Sequence, residues 1–275
     1  MPKRIHWIAL SVALVGCGPA QVESPAAQTR APEVETHTAT DALLIGWKAN
    51  GGELRPLELD SSPPAYGEQP IAIGMYAVRA VSPDGRTLAV LVYPRNDLPR
   101  DTQLLWIDIP SWQARTSELG FDAWVSTMAF SPDGSSLAIA TASPAVMGRA
   151  PDQFGLQLID VAGDQVIAEA DLDMQPLQIA FSADGDLLSA YGPAPFVDIK
   201  TPSEPPVVSV FDGRDLTRLG SLALEGVVDG VTPVEGDRLP EPFLQWSPAV
   251  VFSPDGRTLY VIHADEDRLT RVDLA

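Results

Sequence analysis

The 275-residue sequence predicts an all-β protein built from repeated four-stranded antiparallel sheets. Three observations support this fold class. A short phrase, an apolar run followed by Ser-Pro-Asp-Gly and a second apolar run, recurs along the chain. The 26 prolines and 21 glycines supply many turns and favour short strands over long helices. Hydrophobic residues make up 45% of the chain, which is enough to form a buried core.

The first sixteen residues have the parts of a secretory signal peptide. Lys3 and Arg4 form a basic start, and residues 7–15 form an apolar stretch that is too short to span a bilayer. The segment ends in Leu14-Val15-Gly16-Cys17. These four residues resemble the lipobox of bacterial lipoproteins, Leu-x-Gly/Ala-Cys. The resemblance implies cleavage before Cys17 and acylation of this single cysteine; the alternative is an ordinary secretory signal with an incidental cysteine.

Lipidation at Cys17 implies a chain anchored by its acyl groups in a bacterial envelope membrane. Gly18 follows Cys17 where an Asp would favour inner-membrane retention in enterobacterial lipoproteins. The resemblance therefore points to the outer membrane, with the protein facing the periplasm or the cell surface. The next segment is rich in Pro, Ala, Thr, Glu and Gln and lacks apolar periodicity. We divide the chain into a signal peptide (1–16), a lipidated cysteine with a disordered tether (17–41) and a folded domain (42–275).

The folded domain repeats one unit four times. The first half of the unit carries the Ser-Pro-Asp-Gly phrase. Its four copies lie at Val81–Val90, Phe130–Ile139, Phe181–Leu188 and Phe252–Val261, and the third copy has Ala in place of Pro. Proline presets φ for a turn and glycine tolerates a positive φ, so the phrase predicts a tight hairpin. The second half is an alternating strand that ends in aspartate, at Asp108, Asp160, Asp212 and Asp273. Four antiparallel strands in roughly 50 residues form one blade of a β-propeller.

The phrase Phe-Ser-Pro-Asp-Gly-x-x-Leu resembles the WD40-like repeats of TolB-type bacterial propellers over roughly residues 70–275. The resemblance implies the fold and says little about activity. Four inner hairpins give four or five blades, and residues 43–59 predict a further hairpin that could complete the last blade. The alternative is a truncated copy of a longer propeller. We interpret the recurring Ser and Asp as turn residues, because no histidine accompanies them.

The connections predict where a binding site lies. In a propeller the two hairpin turns of each blade lie at one end, and we expect the other end to carry the long loops 60–70, 93–102, 141–154, 191–207 and 221–242. Binding residues gather on loops that a rigid scaffold holds. The candidate binding residues in the last two of these loops are Tyr191, Phe196, Lys200, Asp229, Glu235, Asp237 and Arg238.

Composition excludes several classes of function. The chain has 37 acidic and 18 basic residues, a net charge of −19, which disfavours nucleic-acid binding. One cysteine rules out a disulfide framework. His263, the one histidine in the folded domain, is expected to be a loop residue, so no Ser-His-Asp set is available. Carboxylates and glycines in 221–242 could chelate Ca²⁺, although their spacing matches no EF-hand. We expect no catalytic residues, no cofactor and no metal.

The sequence thus favours a membrane-tethered propeller that binds another envelope protein through its long loops and is not an enzyme. Two alternatives remain. One is a propeller that binds a glycan or a small ligand as a sensor. The other is a metal-dependent propeller hydrolase or lactonase, although no acidic residue recurs at the starts of the first strands, where metal ligands would be needed.

Overall fold

Short alternating or apolar segments separated by tight turns form the strands. A computed structural model describes residues 44–48, 53–58, 65–66, 70–72, 77–92, 102–121, 123–143, 153–193, 205–227, 230–233, 243–246, 248–263 and 267–274. Within these ranges every regular element is a β-strand. The chain divides into two units, Met1–Ala72 and Ile73–Ala275, and each is described by itself.

The first unit contains one antiparallel sheet. Its strands are β1 (Leu44–Lys48), β2 (Glu53–Glu58), β3 (Ala65–Tyr66) and β4 (Ile71–Ala72). The pairing of β1 with β2 confirms the predicted hairpin. Both β3 and β4 also pair with β2, so the expected loop 60–70 returns to this sheet. The four strands therefore form one sheet in which β2 lies between β1 on one side and β3 and β4 on the other.

The second unit contains a series of antiparallel sheets in chain order. Sheet 1 comprises β5 (Ala77–Val81), β6 (Thr87–Val92), β7 (Thr102–Asp108) and β8 (Gln113–Phe121). Sheet 2 comprises β9 (Trp124–Phe130), β10 (Ser136–Ala142), β11 (Phe154–Asp160) and β12 (Gln165–Leu172). Sheet 3 comprises β13 (Gln178–Phe181), β14 (Leu187–Gly192), β15 (Val207–Asp212) and β16 (Arg218–Ala223).

The rest of the second unit forms two smaller sheets. Strands β17 (Gly230–Pro233) and β18 (Phe243–Trp246) pair as a ribbon. Sheet 4 comprises β19 (Ala249–Phe252), β20 (Thr258–Ile262) and β21 (Leu269–Asp273). The first strands of sheets 1 to 4 contact one another in chain order. The four-stranded sheets are thus arranged like propeller blades, and the predicted fold class is confirmed.

The core lies between the faces of successive sheets. Leu91 and Trp106 of sheet 1 pack with Met128 of sheet 2, and the same kind of cluster joins sheet 2 to sheet 3 and sheet 3 to sheet 4. The second strands of sheets 1 to 3 are buried on both faces; in β6, Leu88, Ala89, Val90 and Leu91 are all 0% exposed. A continuous apolar run in these strands follows from this double burial.

The Ser-Pro-Asp-Gly turns close by one hydrogen-bond pattern. In sheet 3 the buried Ser182 hydroxyl donates to Asp184 Oδ1 at 2.6 Å and accepts the Leu187 N–H at 2.9 Å. Asp184 Oδ1 also accepts the Asp186 N–H at 3.1 Å. Gly185 has a φ of 77° and donates its N–H to the Ser182 carbonyl at 3.0 Å. The turns of sheets 1, 2 and 4 repeat these bonds, so the motif serves the turn.

The second recurring aspartate closes the turn between the third and fourth strands. Asp108, Asp160 and Asp212 each accept a backbone N–H two or three residues further on, at 2.6–2.9 Å. Four residues after each of these aspartates the backbone takes a positive φ, at Trp112 (52°), Asp164 (51°) and Leu216 (58°). The aspartate therefore holds a tight turn whose last residue is in the left-handed region.

Successive Ser-Pro-Asp-Gly turns pack on one another. A Cβ added to Gly134 would lie 3.6 Å from Pro83 Cδ, and one added to Gly185 would lie 3.3 Å from Pro132 Cδ. A Cβ added to Gly256 would lie 3.5 Å from Ser182 Cβ, since the third turn has Ala183 instead of proline. The glycine of each turn thus gives the positive φ and leaves room for the preceding turn.

Polar side chains also join neighbouring sheets. Asp164 of sheet 2 accepts hydrogen bonds from Trp106 Nε1 at 2.8 Å and Ser117 Oγ at 2.7 Å in sheet 1. Burial raises the pKa of Asp164, but the bonds from Ser117 and Trp106 outweigh burial and leave the pKa below its ordinary value. Between sheets 3 and 4, the Gln178 amide exchanges two hydrogen bonds with the Val250 backbone, at 2.9 and 3.1 Å.

The Ser182→Ala substitution tests the turn pattern. It removes the acceptor of the Leu187 N–H and one donor to Asp184, so we expect the free energy of unfolding to fall by about 1–3 kcal/mol. Ala183→Pro is the matched control in the same turn. It introduces the proline of the other three turns, and we expect it to raise stability by about 0.4–1 kcal/mol. Urea unfolding measures both, and equal stability of the two variants would contradict the assigned role of Ser182.

The turn aspartates predict loss of stability in acid. Hydrogen bonds from the serine hydroxyls, first among several causes, lower the pKa values of Asp84, Asp133, Asp184 and Asp255. A carboxyl whose pKa is lower in the folded chain stabilises the fold above its unfolded pKa, and this contribution disappears as the pH falls through the folded pKa. We expect the urea midpoint to decrease below about pH 4.

Asp184→Asn is the variant that isolates this effect. The amide cannot titrate, so we expect a lower urea midpoint at pH 7 and a shallower decrease of the midpoint between pH 5 and pH 2. Each change should be roughly one quarter of the contribution of the four turn aspartates together. A pH profile identical in slope to that of the parent chain would show that Asp184 does not contribute.

Candidate functional site

The connections of the second unit lie at two ends of the sheets. The turn end carries the connections between first and second strands and between third and fourth strands, which are four to five residues long. The loop end carries the connections between second and third strands, of which the long ones are 93–101, 143–153 and 193–206. The sheet-to-sheet connections 122–123 and 173–177 also lie there but are short, contrary to our expectation. They are short because β8 and β12 continue to the point at which the next sheet begins.

Backbone hydrogen bonds fix the ends of two of the long loops, 143–153 and 193–206. The Ser143 N–H donates to the Gln153 carbonyl at 2.7 Å, and the Gln153 N–H donates to Ser143 Oγ at 3.3 Å, on either side of residues 144–152. After the third long loop, the Leu224 N–H donates to the Pro206 carbonyl at 2.8 Å. The loops therefore start and end at defined positions of the sheets.

Gly192 positions the start of the third long loop. A Cβ added to this residue would lie 1.7 Å from the Gln175 carbonyl oxygen, so the 173–177 connection passes directly against the end of β14. The Gln175 N–H donates to the Pro193 carbonyl at 3.0 Å, and the Leu177 N–H donates to the Tyr191 carbonyl at 2.9 Å. Only glycine leaves enough space for this crossing. The sequence shows the Gly192-Pro193 pair, but it does not show the close approach of the 173–177 connection that requires the glycine.

Tyr191 is not a loop residue. It lies in β14, pairs with Val208 of β15 and Gln178 of β13, and is 1% exposed. Its ring packs in the core between sheets 3 and 4 with Val210 and Val250. The strand continues beyond the expected start of the loop because both neighbouring strands remain in register, so this aromatic side chain is not presented at the surface.

The other predicted site residues lie outside the residues that the structure describes. These are Cys17, Phe196, Lys200, Asp229, Glu235, Asp237 and Arg238. The segment 221–242 is also not a continuous loop, contrary to our expectation. It contains the end of β16 and all of β17, which pairs with β18 from Gly230↔Trp246 to Pro233↔Phe243. The signal that sequence reasoning missed is the presence of strand-favouring residues in this pair, the β-branched Val231 and Thr232 and the aromatic Phe243 and Trp246.

His263 lies just after β20 and is buried, at 5% exposure. Its Nδ1 is 3.1 Å from Arg268 Nη2, and its Nε2 is 2.7 Å from Thr270 Oγ1. Because a guanidinium can only donate, Nδ1 accepts and Nε2 carries the proton. Arg268 also donates to the Gly226 carbonyl. His263 therefore helps to connect sheet 4 to the segment that follows β16, a role the sequence did not reveal.

Within the described part of the chain, no group of three or more His, Cys, Asp or Glu side chains is arranged to hold a metal ion. No helix in these residues has the length and apolar character needed to cross a membrane.

Comparison with known proteins identifies the fold. No protein-family model matches the chain, and no curated protein matches it in sequence. A functionally unknown protein from Desulfotomaculum acetoxidans DSM 771 is similar in structure, with a TM-score of 0.50 and 14% identity, over 83% of this chain and 65% of that one. The match shows the fold alone. The chain belongs to the class of all-β proteins whose four-stranded antiparallel sheets are arranged like propeller blades.

Two other solved structures match less well. A eukaryotic initiation factor has a TM-score of 0.49 and 9% identity, over 84% of this chain and 49% of that one. Hydrazine synthase of Kuenenia stuttgartiensis has a TM-score of 0.39 and 13% identity, over 84% of this chain and 73% of that one. The chain spans about half the length of the initiation factor and about two thirds of the Desulfotomaculum protein.

Gly192→Ala tests the crossing at the base of the third long loop. The methyl group cannot fit 1.7 Å from a backbone oxygen, so the connection or the strand must move, and we expect stability to fall by more than about 2 kcal/mol. Gly120→Ala is the matched control, because a Cβ at this strand position meets nothing within 4 Å. Thermal or urea unfolding compares the two. Equal midpoints would mean that the crossing is not as tight as the structure indicates.

Proposed function

We propose that this protein is a membrane-tethered envelope lipoprotein whose propeller-like domain binds another envelope protein without catalysing a reaction. The observation that carries the proposal is the contrast between the two ends of the sheets. The turn end is closed by the same hydrogen bonds in every repeat. The loop end carries the three long connections, and backbone hydrogen bonds hold the ends of two of them, 143–153 and 193–206. Such loops on a rigid scaffold are the usual position of binding residues.

The tether is supported by the sequence at the start of the chain. Leu14-Val15-Gly16-Cys17 has the residues of a lipobox, after a basic start and a short apolar stretch. The Ser-Pro-Asp-Gly repeats resemble those of TolB-type propellers, which agrees with an envelope location. Cleavage before Cys17 removes two basic residues and no acidic ones, which changes the net charge from −19 to −21.

This charge indicates the chemistry of the partner. A chain with 37 acidic residues repels acidic surfaces and attracts basic ones over roughly 8–10 Å at physiological salt. We therefore propose a partner with a basic surface. Its association should be faster at low ionic strength, because electrostatic complementarity acts mainly on the rate of encounter.

Crosslinking followed by affinity capture from native envelopes tests the proposal. One variant replaces residues 144–152 with a short Gly-Ser turn between Ser143 and Gln153, whose hydrogen bonds hold the ends of this loop. A second replaces residues 194–204. The matched control is Arg86→Ser, an exposed position at the turn end. The captured protein is then purified and its affinity for each variant is measured.

We expect the parent chain and the Arg86→Ser control to bind the same basic protein, and at least one loop variant to bind it about tenfold more weakly or worse. Cys17→Ser measures the tether in the same preparations: it should lose the acyl mass and leave the membrane fraction. Equal binding by the loop variants, at unchanged thermal stability, would overturn the assignment to the loop end. Failure to capture any specific protein would overturn the scaffold function.

A further inference from the structure

His263, Arg268 and Gly226 form a chain of contacts at the loop end of sheet 4. His263 follows β20, the second strand of its sheet, and Gly226 lies in the segment that follows β16 of sheet 3. The His263 side chain is buried, and its Nδ1 accepts a hydrogen bond from Arg268 Nη2 at 3.1 Å. The same Nη2 donates to the Gly226 carbonyl. One guanidinium nitrogen therefore links the imidazole of sheet 4 to the segment that leaves sheet 3.

The turn that contains Gly226, the 224–227 turn, also holds the end of the third long loop. The Leu224 N–H donates to the carbonyl of Pro206, the last residue before β15, at 2.8 Å. The Val227 N–H donates to the Leu224 carbonyl at 3.2 Å and closes the turn, in which Gly226 has a φ of 74°. The side chains of Leu224 and Val227 are buried in the core between sheets 3 and 4. The position of the turn and the end of the loop are therefore coupled.

Only a neutral imidazole can keep both of its contacts. The Nε2 of His263 donates to Thr270 Oγ1 at 2.7 Å, so Nδ1 is the acceptor of the ring. Protonation of Nδ1 replaces this acceptor by a second donor, and a guanidinium has donors only. Protonation also places two positive charges next to each other, and these repel. The protonated ring and Arg268 therefore cannot keep their contact, whereas the bond to Thr270 remains.

We propose that His263 makes the anchoring of the third long loop depend on pH. The neutral ring keeps Arg268 on the Gly226 carbonyl, and protonation releases Arg268 and loosens the 224–227 turn against Pro206. This inference deepens the proposed function and rests on it, because a loosened loop regulates binding only if the loop end binds a partner. Binding of the partner should then weaken in mild acid.

The other charged residues next to these positions in the sequence are acidic: Glu225, Asp265, Glu266 and Asp267. Glu225 and Asp267 are exposed, and the other two lie outside the residues that the structure describes. Carboxyl groups in general titrate near pH 4, whereas histidine is the side chain that changes its charge between about pH 5 and pH 8. A response in this upper range therefore distinguishes His263 from the acidic residues.

Nitrogen-15 NMR and hydrogen exchange of the full chain with Cys17→Ser test the proposal between about pH 8 and pH 5.5. The ring nitrogens of His263 should show the Nε2–H form at the upper pH and become doubly protonated as the pH falls. Over the same range the Leu224 and Val227 amides, corrected for the intrinsic effect of pH on exchange, should exchange about tenfold faster. The Gly185 amide closes a turn at the opposite end of the sheets and should not change.

His263→Gln is the variant that isolates the switch, since an amide offers a donor and an acceptor but cannot gain a charge. We expect its Leu224 and Val227 amides to exchange at one corrected rate across the whole pH range. His37→Gln is the matched control: it makes the same substitution ahead of the folded domain and should keep the pH dependence of the parent chain. Arg268→Gln removes the cation, so exchange should be fast at every pH.

Several outcomes would contradict the proposal. A His263 ring that protonates without faster exchange at Leu224 and Val227 would overturn it, as would a ring that stays neutral down to about pH 5.5. A pH response that persists in His263→Gln would assign the effect to another group and overturn it as well. These measurements need no partner, so their failure is distinct from a failure of the proposed function.

The captured envelope protein then tests regulation at the loop end. Its affinity for the parent chain should fall about tenfold between pH 8 and pH 5.5, and its affinity for His263→Gln should stay constant. An equal fall for both chains, or none for the parent chain, would overturn the regulatory role of His263.

Discussion

The burial of both faces of the second strands in sheets 1 to 3 is the constraint on which the rest of the structure depends. Strands such as β6 and β10 are apolar on both faces: the adjacent residues Leu88 and Ala89, and likewise Leu137 and Ala138, point to opposite faces and are all fully buried. An isolated sheet with such a strand would expose apolar area on two sides, so these sheets are stable when they stack on one another. Stacking in turn requires that the connections on at least one end be small enough for neighbouring sheets to approach. The Ser-Pro-Asp-Gly turn meets this requirement, because its polar groups are satisfied within the turn and its glycine leaves space for the preceding turn.

Much of this organisation could be predicted from the sequence, because short local patterns that repeat along the chain specify it. The Ser-Pro-Asp-Gly phrase predicted the four hairpins, and the recurring aspartates predicted where the third strands end. Contacts between distant segments could not be predicted. Asp164 looks like an ordinary turn residue, yet it accepts a hydrogen bond from Trp106 in the preceding sheet, 58 residues away. The space that Gly192 leaves for the 173–177 connection also depends on a neighbour that no local pattern specifies.

The candidate site was harder to predict than the fold for the same physical reason. Strand ends are set by the partner strands as much as by the local sequence, so Tyr191 continues β14 into the core. The segment that looked like one acidic loop instead includes β17, whose pairing with β18 satisfies backbone groups on both strands. Residues on long loops do not take part in the periodic pattern of apolar residues. The sequence therefore predicts at which end of the sheets these loops lie, but it says little about what the individual loop residues do.

Sheet 4 departs from this pattern at one position. Two residues before the strand-ending aspartate, sheets 1 to 3 carry Trp106, Leu158 and Val210, which are 3%, 1% and 8% exposed. Sheet 4 carries Arg271 there, and its side chain is 63% exposed and pairs with Asp273 at 2.7 Å. Because a guanidinium is costly to remove from water, this position could not be buried in the way that the apolar residues of sheets 1 to 3 are. The repeat therefore keeps its turns and its strand-ending aspartate in all four sheets, while the residues on the sheet faces change with what each face contacts.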